Sequence, residues 1–211
     1  MKHLKSFDIS PAEYKKRLDS LQEIVKMSIT DIKVWAIVFE RDIETAHALN
    51  RYRGMFLTME YALRQMTLLE LSKVFDNDGR TSSMRVMLAI AKSNREKFTP
   101  YATENDLNNL ELQIDSNHNL LKRLKGYRNQ RLAHHDMRYR KKGLQYGELL
   151  RLNDQVQTMF NSLSQWHDKT IVIFEIYVKE AETHTAEVIQ IMREERNRLI
   201  ESRNKLRSTI H

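Results

Sequence analysis

Several residue types that define other protein classes are scarce or absent in this chain of 211 residues. Cysteine is absent, which excludes disulfides, thiolate metal sites and a cysteine nucleophile. No apolar run approaches the roughly 18 residues that a membrane-spanning helix needs. Residues 1–10 also lack the apolar core of a signal peptide. We therefore expect a cytoplasmic protein with no membrane partner.

Helix breakers are also few, with two prolines and five glycines in the whole chain. Leu, Glu, Arg and Lys are plentiful, which favours long helices and short connections. The run from Thr170 to Val178 is rich in Ile, Val and Phe and has the composition of a strand. We interpret it as helix, because apolar residues continue past it at spacings of three and four. The expected fold class is all-α.

Local signals place several helix boundaries. Ser10-Pro11 predicts a helix start with proline at the first helical position. A break in that helix near Ser28 to Asp31 stays open. Asp76-Asn77-Asp78-Gly79 is a loop signal, in which we expect Asp76 and Asp78 to shape a turn. Thr103, with Asp106 three residues later, predicts a capping box. The helix that it starts is expected to continue into the basic segment described below.

Apolar residues recur at every seventh position in the last part of the chain, which predicts a long C-terminal helix. One row consists of Ile171, Val178, Thr185, Met192, Leu199 and Leu206, with Phe174, Ala181 and Val188 between them. The pattern is typical of two or three weakening coiled-coil heptads. We expect a helical bundle over residues 1–170 and a C-terminal helix over 171–211 that packs on it or forms an oligomer seam.

Positive charge is concentrated in residues 122–142, which hold nine basic residues and one acid, Asp136. Because the whole chain carries +7, the remainder is nearly neutral. A local positive patch attracts polyanions and speeds their encounter, although a solvated helix face gives the same pattern. The candidate RNA-binding residues are Lys122, Arg123, Lys125, Arg131, Arg138, Arg140, Lys141 and Lys142.

An Arg/His cluster lies inside this basic segment. Its candidate catalytic residues are Arg128, Asn129, His134, His135 and Asp136. On a helical wheel Arg128 falls on the apolar stripe, so its guanidinium needs an acid, a carbonyl or a bound anion. His135 lies about 20° from Arg128 and His134 about 120° away. Arg suits phosphate and His moves protons near neutral pH, but a purely structural network of the same residues stays open.

The order of these residues resembles the motif of the HEPN superfamily, in which four to six residues separate an Arg, often followed by a polar residue, from a His. Five residues separate Arg128 from His134 and six separate it from His135, so either His fits. Residues 128–136 have the form Arg-Asn-x-x-x-Ala-His-x-Asp, which looks like the AbiU-type branch linked to abortive infection in bacteria. The helix that ends in Leu69-Glu70-Leu71-Ser72-Lys73-Val74-Phe75-Asp76 resembles that branch as well. The similarity covers roughly residues 30–170.

The resemblance implies an up-and-down helical bundle that forms a homodimer, with two motifs meeting to make a metal-independent endoribonuclease site. Arg128 would hold the scissile phosphate, His134 would assist proton transfer, and Asn129 would orient these groups or add a phosphate contact. The implied role is a toxin or phage-defence effector that acts on RNA, with a cognate antitoxin or regulatory partner. No cofactor is implied.

One departure from related toxins concerns a tyrosine two residues after the motif His, which a partner nucleotidyltransferase modifies. Asp136 and Met137 occupy the corresponding positions here, so that mode of neutralisation is not expected.

The other histidines are scattered without metal-ligand spacing, and we expect no metal site. Two further hypotheses remain: a non-catalytic RNA- or protein-binding module, and a structural adaptor assembled through the C-terminal heptads.

Overall fold

The chain begins with a long helix, α1 (Pro11–Phe39), in a computed structural model that describes residues 9–39, 42–129 and 144–209. The Ser10 hydroxyl caps the helix by accepting the N–H of Glu13 at 3.1 Å. The helix continues through residues 28–31 without a break. Ser28 is buried there, and its carbonyl and hydroxyl oxygens accept hydrogen bonds of 3.0 and 3.1 Å from the Asn153 side chain. The polar residue is therefore satisfied inside the helix rather than ending it.

All regular secondary structure in the described ranges is helical, which confirms the predicted fold class. The later helices are α2 (Ile43–Asn50), α3 (Arg53–Val74), α4 (Met84–Ser93), α5 (Arg95–Phe98), α6 (Glu104–Ser116), α7 (His118–Tyr127), α8 (Tyr146–Asp168) and α9 (Phe174–Thr209). The predicted long C-terminal helix is α9, with 36 residues. Over the same ranges, none of the helices combines the length and apolarity that crossing a bilayer requires.

One compact unit consists of the residues up to Ile29 together with Gln65–Phe174. Helix α4 lies at its centre and packs against α5, α6 and α8. Its apolar side chains are almost completely buried; they are Met84, Val86, Met87, Leu88, Ile90 and Ala91. The rings of Tyr14 and Phe98 stack with their centroids 5.1 Å apart. Helix α6 also packs against α7, which links α7 to this core.

A second compact unit consists of Thr30–Arg64 together with Glu175–His211. Its small core is formed by four buried apolar side chains: Val38, Leu49, Phe56 and Ile189. Arg193 of α9 adds ion pairs to Asp42 at 3.6 Å and Glu44 at 2.8 Å, both at the start of α2. Acidic groups are favourable at a helix N-terminus, and here they also connect α2 to α9 through Arg193.

The capping box of α6 is confirmed, but the helix that it starts is shorter than expected. Thr103 Oγ1 accepts the N–H of Asp106 at 3.1 Å, and the Thr103 N–H donates to the Asp106 carboxylate at 2.8 Å. At Asn117 the chain leaves helical geometry, and the side chain of Asn117 donates to the Gln113 carbonyl at 3.1 Å. A side chain that competes for backbone groups in this way divides the predicted helix into α6 and α7.

The interpretation of Thr170 to Val178 as helix is right only from Phe174 onward. Helix α8 ends at Asp168, and the capping residue after it, Lys169, adopts a left-handed conformation with φ of 63°. The Asn161 side chain then accepts the N–H of Val172 at 2.9 Å and donates to its carbonyl at 3.0 Å. These tertiary bonds satisfy the backbone between α8 and α9 without a helical turn.

Candidate functional site

Arg128 lies directly after α7, where the buried Leu124 anchors the end of the helix in the core. The backbone widens to a π-type turn at Arg128 and Asn129, a form of winding that is frequent at functional sites. The Arg128 side chain is 26% exposed. Its guanidinium thus lies at the boundary between core and solvent, as its place on the apolar stripe predicts.

The partner of this guanidinium is Asp76, which follows the C-terminal end of α3. Arg128 Nη1 donates to Asp76 Oδ2 at 2.9 Å, and Arg128 Nε donates to Asn129 Oδ1 at 3.0 Å. Two hydrogen bonds from different nitrogens restrict rotation of the planar group. Of the five N–H donors of an arginine side chain, these bonds use two.

The loop after α3 holds Asp76 in position. Its Oδ1 accepts the backbone N–H groups of Asn77 at 2.7 Å and Asp78 at 3.2 Å. Its carbonyl oxygen accepts the Ser83 hydroxyl at 2.6 Å, and Ser83 in turn caps α4 by accepting the N–H of Val86 at 3.3 Å. The turn-shaping role expected for Asp76 is therefore present, and the ion pair with Arg128 is an additional role.

The environment keeps the Asp76 carboxyl ionised. Partial burial alone would raise its pKa, but the hydrogen bond from Arg128, the N–H of Asp78 and the guanidinium charge together outweigh burial. The net result is a pKa below the ordinary value for aspartate. Asp76 thus remains a charged acceptor for Arg128 at neutral pH.

The Asp76–Arg128 pair borders a cavity of about 1180 Å³ between the end of α3, α4, α6 and α7. The apolar part of its lining includes Phe75, Val86, Leu88, Ala89, Leu121 and Leu124. The charged part includes Asp76, Arg85, Lys92, Glu111, Asp115, Lys122, Lys125 and Arg128. The cavity exceeds the roughly 300–1,000 Å³ of typical small-molecule sites, and it opens beside the proposed phosphate-binding arginine.

Most charges on the α4 and α6 sides of the cavity compensate one another. Arg85 pairs with Asp115 at 2.9 Å, and Lys92 pairs with Glu111 at 2.5 Å. On the α7 side, Lys122 and Lys125 are exposed and have no acidic partner within the described part of the chain. The uncompensated positive charge of the cavity therefore comes from α7.

Arg123, another predicted RNA-binding residue, points to a different neighbour. Its Nη2 donates to the Glu148 carboxylate, which also accepts the N–H of Gln145 at 3.0 Å at the start of α8. The hydrogen bond from Arg123 is the main cause that lowers the pKa of Glu148. Arg123 thereby links α7 to the N-terminus of α8.

The other members of the predicted site lie outside the described residues. They are the catalytic candidates His134, His135 and Asp136 and the basic residues Arg131, Arg138, Arg140, Lys141 and Lys142. The described part therefore brings together Arg128, Asn129, Lys122 and Lys125. It also adds Asp76, which sequence reasoning treated only as a turn residue. Two features of the sequence could have indicated this pair. Arg128 lies on an apolar stripe and needs a partner there, and Asp76 is an acid at the end of the upstream helix segment that resembles the AbiU-type branch.

A match to a family model identifies the family of this chain. No significant match was found among curated proteins or among solved structures. A family model described as AbiU2, of the HEPN type, matches residues 11–187. The match includes α3, the loop with Asp76, α7 and the whole Arg/His segment. The chain therefore belongs to the AbiU2 family of HEPN domains.

Proposed function

We propose that this protein is a metal-independent endoribonuclease that acts in the cytoplasm as a toxin or phage-defence effector. The observation that supports the proposal is Arg128, an arginine held rigidly by Asp76 and Asn129 at the rim of a cavity with excess positive charge. A planar donor group fixed before substrate arrives is suited to stabilising charge that develops on a phosphate.

The proposed reaction uses the RNA itself as nucleophile. The 2′-hydroxyl attacks the adjacent phosphorus, a P–O2′ bond forms and the P–O5′ bond breaks. A histidine of the motif, His134 in our proposal, takes the proton of the 2′-hydroxyl, and an acid returns a proton to the departing 5′-oxygen. Arg128 binds the phosphate oxygens while negative charge accumulates on them. The products are a 2′,3′-cyclic phosphate and a 5′-hydroxyl, with no need for a metal.

We also propose that the active form is a homodimer. On a regular helix His134 lies about 120° from Arg128, so an arginine and a histidine from different subunits would meet more readily than two from one. A cognate antitoxin or regulatory partner would bind over the same face.

A non-catalytic RNA- or protein-binding module is the second candidate, and one observation favours it. Two arginines of the basic segment, Arg123 and Arg128, already have acidic partners within the chain. Such pairs can serve structure alone, which would leave Lys122 and Lys125 to bind a polyanion without any chemistry.

The deciding experiment measures cleavage of total cellular RNA by purified protein in EDTA. Wild type is compared with Arg128→Ala and His134→Ala, and with Arg80→Ala as a matched arginine control. Arg80 is 90% exposed, and its partner in the part of the chain that the structure describes is Asp78 of the same loop. We expect cleavage by wild type and Arg80→Ala, and a loss of about 100-fold or more for the two site variants.

Circular dichroism must show that all four proteins are folded. Cleavage that survives both site substitutions would contradict the assigned roles. No cleavage by wild type, together with RNA binding that weakens with salt, would favour the non-catalytic module.

A further inference from the structure

Helix α7 and the residue directly after it carry a row of cationic and titratable side chains along one wall of the cavity. His118, Lys122, Lys125 and Arg128 all line it. Their spacings of four, three and three residues keep them on one side of the helix, and the row extends about 15 Å along its axis. The first three are exposed to solvent. The row therefore continues the site of Arg128 along the cavity.

Within the described residues, the charges opposite this row have partners, whereas those of the two lysines do not. Arg85 and Lys92 of the α4 wall are paired with acids of α6. Lys122 and Lys125 have no such pair within the described ranges. A long flexible stem lets each ammonium group adjust to a nearby phosphate, so this wall can follow a polyanion that leads away from Arg128.

The cavity lining also has an apolar part, here called the floor. Its partly exposed members are Ala89 and Leu121, which are half-buried, and Phe75, which is 7% exposed. A nucleobase can bury its face against such a surface only if it is not paired and stacked in a duplex. A volume of about 1180 Å³ is also larger than a typical site for one small ligand.

We propose that this cavity binds a single-stranded RNA segment next to the scissile phosphate. Lys125 and Lys122 bind the successive phosphates beyond the one at Arg128, His118 marks the far end of the track, and at least one unpaired base lies on the apolar floor. This inference rests on the proposed RNA-directed function and extends it to the substrate class, an RNA single strand rather than a duplex.

The test measures binding of a short fluorescein-labelled oligouridylate by fluorescence anisotropy, at salt concentrations from about 50 to 200 mM. All proteins carry His134→Ala so that the probe stays intact. Lys122→Ala, Lys125→Ala and the double variant are compared with Lys16→Ala. Lys16 is an exposed lysine of α1 that does not line the cavity, so it removes the same charge elsewhere.

For single strands, each lost phosphate contact reduces the slope of log affinity against log salt by about 0.7. We expect the slope to fall by about 0.7 for each single lysine variant and by about 1.4 for the double variant. The slope of Lys16→Ala should not change. The probe annealed to its complement should bind more weakly and show no dependence on the two lysines.

Equal slopes for the lysine variants and Lys16→Ala would overturn the inference, as would the same lysine dependence with the duplex. These outcomes are separate from the cleavage assay. If wild type cleaves RNA but the lysine variants leave the salt slope unchanged, the proposed activity stands and the binding track is rejected. If the protein does not cleave RNA but the slopes fall as expected, the binding track stands and the nuclease activity is rejected.

Discussion

At the scale of single residues, the pair of Asp76 and Arg128 is central to the site. A guanidinium at the edge of the core requires an acceptor, and the chain supplies a carboxylate from a loop 52 residues earlier. The Oδ1 atom of that carboxylate organises the loop, and Oδ2 holds Arg128. The two oxygens therefore have different roles, and a suitable substitution can remove the bond to Arg128 while keeping the bonds to the loop.

Asp76→Asn is expected to preserve the loop and lose the ion pair. The amide oxygen of asparagine can still accept the two backbone N–H groups, but its amide nitrogen would face Arg128. We expect the free energy of unfolding to fall by about 1 kcal/mol and RNA cleavage to fall with it, because Arg128 loses its fixed orientation. Urea unfolding and the cleavage assay measure the two effects.

The effect of Asp76→Asn on stability should depend on pH. Because the folded-state pKa of Asp76 is lowered, its stabilising contribution is complete above the unfolded value of about 3.9. That contribution is lost as pH falls through the lower folded pKa. The difference in free energy of unfolding between wild type and Asp76→Asn should therefore be constant near neutral pH and shrink toward zero below about pH 4.

Asp78→Asn is the matched control, since Asp78 lies in the same loop and pairs with the exposed Arg80. It should change stability less and leave cleavage intact. Two results would contradict a positioning role for Asp76. One is a stability difference between wild type and Asp76→Asn that persists at low pH, and the other is equal RNA cleavage by Asp76→Asn and Asp78→Asn.

At the scale of elements, the start of α4 connects the core to the site. Ser83 is fully buried, and its hydroxyl both caps α4 and donates to the carbonyl of Asp76. A single side chain thus fixes the helix and the loop that presents the carboxylate. Stability and site geometry are coupled at this point.

Ser83→Ala is expected to lower the free energy of unfolding by about 1–2 kcal/mol, because it removes a helix cap and leaves a carbonyl without its donor. Thermal and urea unfolding measure the loss. The neighbouring Ser82→Ala removes a half-buried hydroxyl that caps no helix and should have a much smaller effect. Equal effects of the two substitutions would exclude Ser83 as the residue that links α4 to the loop.

At the scale of the whole molecule, α9 offers a surface for the proposed homodimer. Five of its exposed large apolar side chains fall within an arc of about 80°; they are Tyr177, Val188, Ile191, Leu199 and Leu206. Residues 174–191 carry four acids and one base, whereas residues 192–209 carry six bases and three acids. A second copy that packs antiparallel therefore brings opposite charges together, as well as covering the apolar row.

Ile191→Glu is expected to shift the protein toward monomer, because Ile191 is 63% exposed in the middle of this row. Sedimentation velocity or light scattering measures the change. Leu112→Glu on α6 is the matched control, since Leu112 is 66% exposed and is not part of the α9 row. Val178 is unsuitable for this test, because it is 2% exposed and a polar group there would disturb folding. A dimer unaffected by Ile191→Glu would exclude this surface.

The sequence alone was sufficient for properties that depend on local pattern. The scarcity of proline and glycine, the caps at Ser10 and Thr103 and the spacing of apolar residues predicted an all-α chain with a long final helix. The order of Arg128, Asn129 and His134 indicated the family. These features are readable because capping, helical periodicity and short motifs involve residues close together in the chain.

Only the tertiary structure decided which distant groups meet. Ser28 continues α1 because Asn153, far along the chain, satisfies it. Residues 170–173 are not helical, and the Asn161 side chain satisfies the backbone of Val172 among them. Asp76 becomes the partner of Arg128 because α3 and α7 end side by side around α4. No local pattern encodes such pairings, since they depend on how buried helices pack, and the free energy of that packing belongs to the fold as a whole.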